Sequence, residues 1–236
     1  MREIVKGVYL LEKLRGANAY LIKSGNEMAL VDTGMAGDVD SITSQIESAG
    51  YSLSDLQAIV ITHAHGDHTG GAAKLAAESG AKVMAHREEA PYIEGKLSLP
   101  AASILQSAVR WLDRLMSGGD RNVRVERALE DGEYLDFLGG LKVIHTPGHT
   151  PGSICLYREQ EQILFCGDLL FNGNVFTGRG GLTFAPRFFS VDPKEAENSA
   201  RRLSSMEIKV LCMGHGEPIV MENGLKMEKL LEKIDS

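Results

Sequence analysis

A layered α/β fold is predicted by three features of this 236-residue chain. Short apolar runs alternate with stretches of helical period, Gly, Asn and Asp punctuate the junctions, and the chemically unusual residues fall just after the apolar runs. Hydrophobic residues make up 43% and charged residues 24%, ordinary globular usage, and the length suffices for a substantial core. No Pro- or Ser-rich linker and no short-period repeat divides the chain, so one domain over 1–236, built of two similar halves, is expected.

In chain order, Val8–Leu11, Ala19–Ile22 and Met28–Val31 read as a strand meander with Ser24-Gly25-Asn26 as a hairpin turn. Asp38 then reads as the N-cap of a helix carrying Ile42, Ile46 and Ala49 on one face, stopped by Gly50. Ala58–Ile61 is β-branched and short, hence a buried strand; Gly70–Glu78 is Ala-rich, hence helical; Ala81–Ala85 is a further strand. A helical insertion is expected at about 87–119, where Ile104, Leu105, Ala108, Trp111, Leu112 and Leu115 share one stripe. It is either a helix packed on the core or a lid or dimerisation helix, the latter giving a homodimer. Strands follow at Val123–Val125, Tyr134–Phe137, Leu141–His145, Ser153–Tyr157, Ile163–Cys166 and Val210–Met213. Helices are expected from Pro193 to Ser204, capped by Asp192, and from Met221 to about Ile234.

The formal net charge of −7 comes without a basic block, which argues against a nucleic-acid partner. No apolar run reaches membrane-spanning length, and the N-terminus lacks a signal-peptide pattern. Cys155, Cys166 and Cys212 are odd in number and flanked by apolar residues, so reduced thiols and a cytoplasmic setting are expected.

The chemistry gathers in Thr62-His63-Ala64-His65-Gly66-Asp67-His68, between the Ala58–Ile61 strand and the following helix. Three imidazoles and a carboxylate at a strand-to-helix turn suit zinc or another first-row divalent ion; calcium and magnesium prefer oxygen shells. Three further candidates, His149, Asp168 and His215, each end an apolar strand beside a glycine. Strand ends along one sheet edge are where α/β folds collect a site from distant chain segments.

The order His-x-His-x-Asp-His, then His, Asp and His, with Asp32 in Val31-Asp32-Thr33-Gly34 ahead of them, resembles the metallo-β-lactamase superfamily. The resemblance implies a four-layer αββα sandwich with two divalent ions, most often zinc, with manganese or iron as alternatives. It places His63, His65 and His149 on one ion, Asp67, His68 and His215 on the other, and Asp168 between them. It implies a water held between the ions as the nucleophile, with Asp67 orienting it, and Asp32 fixing the tautomer of a liganding imidazole. Asp32 reads equally as a turn former. Thr62 and Thr150 are support residues or ordinary strand ends. His145 is expected as a core or supporting histidine, and His86 in a surface turn.

A hydrolase of an ester, thioester or lactone bond in a small organic substrate is the leading expectation. A mononuclear iron oxygenase of the persulfide dioxygenase type, using His63, His149 and Asp168, is the first alternative. A phosphodiesterase or nuclease is the second, and a scaffold the third. Phe171 stands where lactonases of this resemblance carry Tyr, and Lys226, Lys229 and Lys233 are interleaved with Glu rather than clustered to grip glutathione. Five of the seven phenylalanines fall between 171 and 189. A substrate pocket lined by Trp111, Phe171, Phe184 and Phe188, with Arg179 or Arg187 anchoring a carboxylate, is therefore expected; packing of these rings on the core is the alternative.

Overall fold

The computed structural model describes residues 1–101, 106–108, 123–173 and 180–235. Seven strands form the first sheet in sequential order: β1 (Arg2–Val5), β2 (Val8–Leu10), β3 (Tyr20–Ser24), β4 (Glu27–Val31), β5 (Ala58–Val60), β6 (Lys82–His86) and β7 (Arg127–Leu129). It is antiparallel through β4 and parallel from β4 to β7. The remaining strands are β8 (Tyr134–Leu135), β9 (Leu141–His145), β10 (Ile154–Arg158), β11 (Ile163–Gly167), β12 (Leu170–Asn172), β13 (Leu182–Phe184), β14 (Glu207–Met213) and β15 (Ile219–Lys226). Six of them form the second sheet in the order β15-β14-β11-β10-β9-β8, while β12 and β13 pair as a separate hairpin.

Strand alternation sorts the side chains into three cores. On β4, Ala29 and Val31 face the second sheet, where they meet Leu156 and Phe165 among others; Met28 and Leu30 face outward. The outward side is covered by α1 (Val39–Ser48) through Val39, Ile42 and Ile46, and by α3 (Ala72–Ser79) through Ala72 and Leu75, with the short α2 (Gly66–Thr69) between them in sequence. On the far side of the second sheet, Leu164, Leu211 and Met213 meet α5 (Pro193–Arg202) and α6 (Met227–Asp235), the short α4 (Ala90–Ile93) preceding them in the chain. Helix, sheet, sheet, helix is the expected four-layer sandwich. Phe165 is sealed between the sheets, and truncating it to Ala would cost about 3–5 kcal/mol.

Several expectations need correction. Residues 221–226 belong to β15, not to the C-terminal helix, which begins at Met227. The open edge of β14 supplies backbone partners that no local period announces. Val123–Val125 is not a strand; pairing with β6 begins at Arg127. Asp38 stands at the N-cap of α1 as expected, but its side chain makes no bond to that helix, because its carboxylate accepts the N–H groups of Arg15 and Met35 instead. His86 is no surface residue: it is 2% exposed and stacks on His145 at 4.0 Å. Most of the Pro100–Gly119 stripe, Trp111 included, lies outside the described residues, of which Gln106–Ala108 are helical. No helix among the described residues is long and apolar enough to cross a membrane.

Candidate metal centre

All seven expected ligands converge at one edge of the two sheets. His63 and His65 leave β5, and Asp67 and His68 sit on α2. His149 lies in the β9–β10 turn, Asp168 follows β11 and His215 follows β14. Since β9, β10, β11 and β14 are lateral neighbours, the last three arrive side by side. The edges are laced together: Ile154 N–H donates to Thr62 O (3.0 Å), Asn18 N–H to Gly214 O (2.7 Å), and the Tyr20 hydroxyl to Met213 O (2.7 Å).

The donor atoms form two groups. His63, His65, His149 and Asp168 make one; Asp67, His68 and His215 make the other. Within the first, His65 Nδ1 is 3.1 Å from His63 Nε2 and 3.0 Å from His149 Nε2. Asp168 Oδ2 is 3.8 Å from His63 Nε2 and 3.4 Å from His149 Nε2. Four donors around a tetrahedral ion with bonds of about 2.0–2.1 Å are about 3.3 Å apart, so the set has the size of such a shell. In the second group, His215 Nε2 lies 3.3 Å from Asp67 Oδ2. Asp168 touches this group too, through His215 Nε2 at 3.4 Å and His68 Nε2 at 3.2 Å. His68 Nε2 and Asp168 Oδ1 are nonetheless buried without a hydrogen-bond partner. Orphaned buried polar atoms are rare, and two of them 3.2 Å apart among ligand-type side chains fit a cation.

Residues behind the donors fix which nitrogen points inward. His68 Nδ1–H donates to Asp32 Oδ2 (2.8 Å), and Asp32 also accepts from the Thr62 amide (2.8 Å) and hydroxyl (2.7 Å). The Thr62 hydroxyl in turn accepts from His63 Nδ1–H (3.1 Å), leaving Nε2 free for the centre. Asp32 takes φ of 58°, an uncommon left-handed backbone, so the turn former and the supporting carboxylate are one residue. His149 Nδ1–H meets Ser190 Oγ at 3.1 Å.

Charge divides the groups as well. Burial, then the nearby His68, holds the His63 imidazole below its usual range, and burial and His65 bring His149 down to about 3. Both are neutral, with lone pairs available. Burial works against the charged form of His68, but Asp168, Asp32 and Asp67 outweigh it and raise its pKa. His215 likewise rises to about 9 against burial, through Asp168 and Asp67. Asp67 falls to about 2 because His68 and His215 overcome burial, and Asp168 is lowered by His215, His68 and His63.

The expected pocket residues do not gather in the same way. Phe171 is buried, its ring 4.7 Å from that of His215, so it packs beneath a donor. Phe184 packs against the outer core with Leu182. Phe188 is half-buried against Phe189 at 4.4 Å, and Arg187 is exposed. Trp111 and Arg179 lie outside the described residues. Two supports escaped sequence reasoning: Ser190, and Glu89, whose buried carboxylate accepts from the amides of Ala64 (2.7 Å) and Gly152 (2.6 Å).

A four-layer sandwich carrying this His/Asp cluster at its sheet edge defines a metal-dependent hydrolase. The chain belongs to the metallo-beta-lactamase superfamily, whose sequence model matches residues 13–215. It is 31% identical over 234 residues to the probable metallo-hydrolase YflN of Bacillus subtilis (strain 168), covering 94% of this chain and 88% of that one. It is 29% identical to a hydroxyacylglutathione hydrolase of Francisella philomiragia, over 86% of this chain and 63% of the relative. A metallo-beta-lactamase family protein of Thermus thermophilus has a solved structure that superposes with a TM-score of 0.69 at 24% identity, covering 98% and 80% of the chains.

Proposed function

We propose that the chain is a dinuclear hydrolase of a thioester or ester bond in a small organic substrate. His63, His65 and His149 would hold one ion, Asp67, His68 and His215 the other, and Asp168 would join them. The observation that carries this reading is Asp168, which lies within 3.2–3.8 Å of nitrogens from both groups. Relatives named as hydroxyacylglutathione hydrolases, and one named as an acyl-carrier-protein thioesterase from Cryptosporiopsis, favour a thioester over a lactone. Zinc is the metal best matched by the imidazole-rich donors. Two such ions would lower the pKa of water and polarise a carbonyl.

The chain's own residues supply the rest. Asp67 stays ionised, and its carboxylate near the open side can accept a hydrogen bond from an attacking water and so orient it. His215, 22% exposed, faces arriving substrate, and the Phe171 ring beneath it limits its movement. The Phe188–Phe189 pair is tethered beside His149 through Ser190 and offers an apolar contact for an acyl group. The position of His65 Nδ1, 3.0–3.1 Å from the other two nitrogens, supports a three-imidazole shell over the two-imidazole shell of the iron oxygenase. A cytoplasmic setting belongs to the same proposal, supported by three buried, unpaired cysteines.

Metal analysis of protein reconstituted with zinc, manganese or iron, followed by a panel of thioesters, esters, lactones and β-lactams, tests the reading. Two ions per chain with thioester turnover is expected. One iron with oxygen uptake on a persulfide would overturn it.

A further inference from the structure

Glu89 carries no role in the reading above, yet it touches both loops that deliver the three imidazoles. It follows β6, and its backbone is fixed on both sides: its N–H donates to His86 O (2.9 Å), and its carbonyl accepts from Tyr92 (3.0 Å) and Ile93 (3.1 Å) as α4 begins. The side chain is wholly buried. Oε1 accepts from the amide of Ala64, the residue between His63 and His65. Oε2 accepts from the amide of Gly152, three residues past His149, and the Thr150 hydroxyl also hydrogen-bonds to the carboxylate. Thr150 is itself held, since Ser153 Oγ accepts its amide at 3.0 Å and lies 2.7 Å from its hydroxyl. A Cβ at Gly152 would collide with the Glu89 amide nitrogen and Cβ, so the two backbones meet as closely as glycine permits.

The two loops come from different sheets. His63 and His65 follow β5, whereas His149 precedes β10, and the carboxylate spans the seam between them. Burying a carboxylate is costly, and an apolar side chain would fill the space at less expense. The carboxyl group stands where two ligand loops offer it backbone donors.

We propose that Glu89 is a positioning residue that sets the spacing between His63–His65 and His149, and with it the affinity of the three-imidazole group for its ion. The proposal rests on the metal-binding reading. Gln at 89 keeps one acceptor oxygen but turns an amide NH2 toward an N–H, so one loop is released. Asp keeps the charge but falls one methylene short of the loops.

The test titrates metal-free protein with cobalt(II) in a His215→Ala background, which removes a donor from the other group. The visible cobalt spectrum then reports the three-imidazole side. Glu89→Gln is expected to weaken cobalt binding there about 10- to 100-fold and to change the spectrum, with Glu89→Asp intermediate. Ile46→Ala, in the outer core between α1 and the first sheet, destabilises the fold remotely and is expected to leave affinity and spectrum unchanged. Should Glu89→Gln fail to fold, Thr150→Val removes one of the carboxylate's donors and is expected to give the same change on a smaller scale. Wild-type affinity and spectrum in the Glu89 variants, or an equal loss in Ile46→Ala, would overturn the role of Glu89 alone. Absence of cobalt and zinc binding by the unaltered protein would overturn the metal-binding reading beneath it.

Discussion

The two donor groups share Asp168 but differ in enclosure and in charge. His63 and His149 are each 1% exposed and held neutral, locked from behind by Thr62 and Ser190. Across Asp168, the side chains of His215 and Asp67 are 22% and 20% exposed, though His68 is buried, and the neighbouring carboxylates raise the pKa of both imidazoles against burial. One side is a closed socket built into the seam of the sandwich. The other is a half-open rim, the side by which, on the proposed function, a substrate would enter. Rigid ligation and chemical access make opposing demands on burial, and the fold meets them on opposite faces of one carboxylate.

Removing the shared carboxylate should abolish the distinction. Asp168→Ala is expected to lower kcat/KM roughly 1000-fold or more and to reduce bound metal on both sides, measured by turnover and metal analysis. Retention of two ions per chain would show that Asp168 does not join the groups.

The closed side has its own pH signature. Burial raises the Glu89 carboxyl from 4.5 to about 7, so the folded chain holds that proton more tightly than the unfolded one. The contribution is full below 4.5 and is lost as pH rises through about 7. Urea titrations of metal-free protein should therefore show wild type losing about 2–3 kcal/mol more than Glu89→Gln between about pH 5 and pH 8. Parallel pH profiles would place the Glu89 proton elsewhere.

Asp32→Asn tests the support behind His68. Asparagine tolerates a left-handed backbone, so the turn should survive while the ionic contacts to His68 and Thr62 are lost. A roughly 10- to 100-fold loss of metal affinity on the open side is expected by calorimetric titration. The smallest effect belongs to the rim. Phe188→Ala should raise KM a few-fold for bulky acyl substrates and less for acetyl ones, at about 1 kcal/mol for a half-buried ring. Equal effects on both would detach Phe188 from substrate binding.

The gathering of the seven side chains was legible because their chemistry is distinctive: Thr62–His68 crowds imidazoles into one turn, and His149, Asp168 and His215 each follow an apolar strand. The layers followed from alternation such as Met28 and Leu30 against Ala29 and Val31. Glu89 was not legible, because Arg87-Glu88-Glu89 offers two adjacent glutamates and nothing local says which one turns inward. Ser190 is hidden for the same reason, its role depending on a residue 41 positions away. The β15 segment was misread because Met221 and Leu225 also stand at a helical spacing, while its pairing with β14 is a non-local fact. Short polar contacts and sheet edges are decided by what arrives from elsewhere in the chain.

Gly214 bears on the space between the donor groups. Its amide donates to Gly167 O at 2.8 Å, and a methyl group on its α-carbon would press against both Asp168 Oδ1 and the His68 ring. Each of those two side chains carries a buried atom without a hydrogen-bond partner. The room at the centre is thus set by subtraction, by a substituent that one residue does not carry. Any effort to retune the cavity for a larger or smaller ion must work from the donors inward, because at position 214 nothing remains to be trimmed and anything added closes the vault.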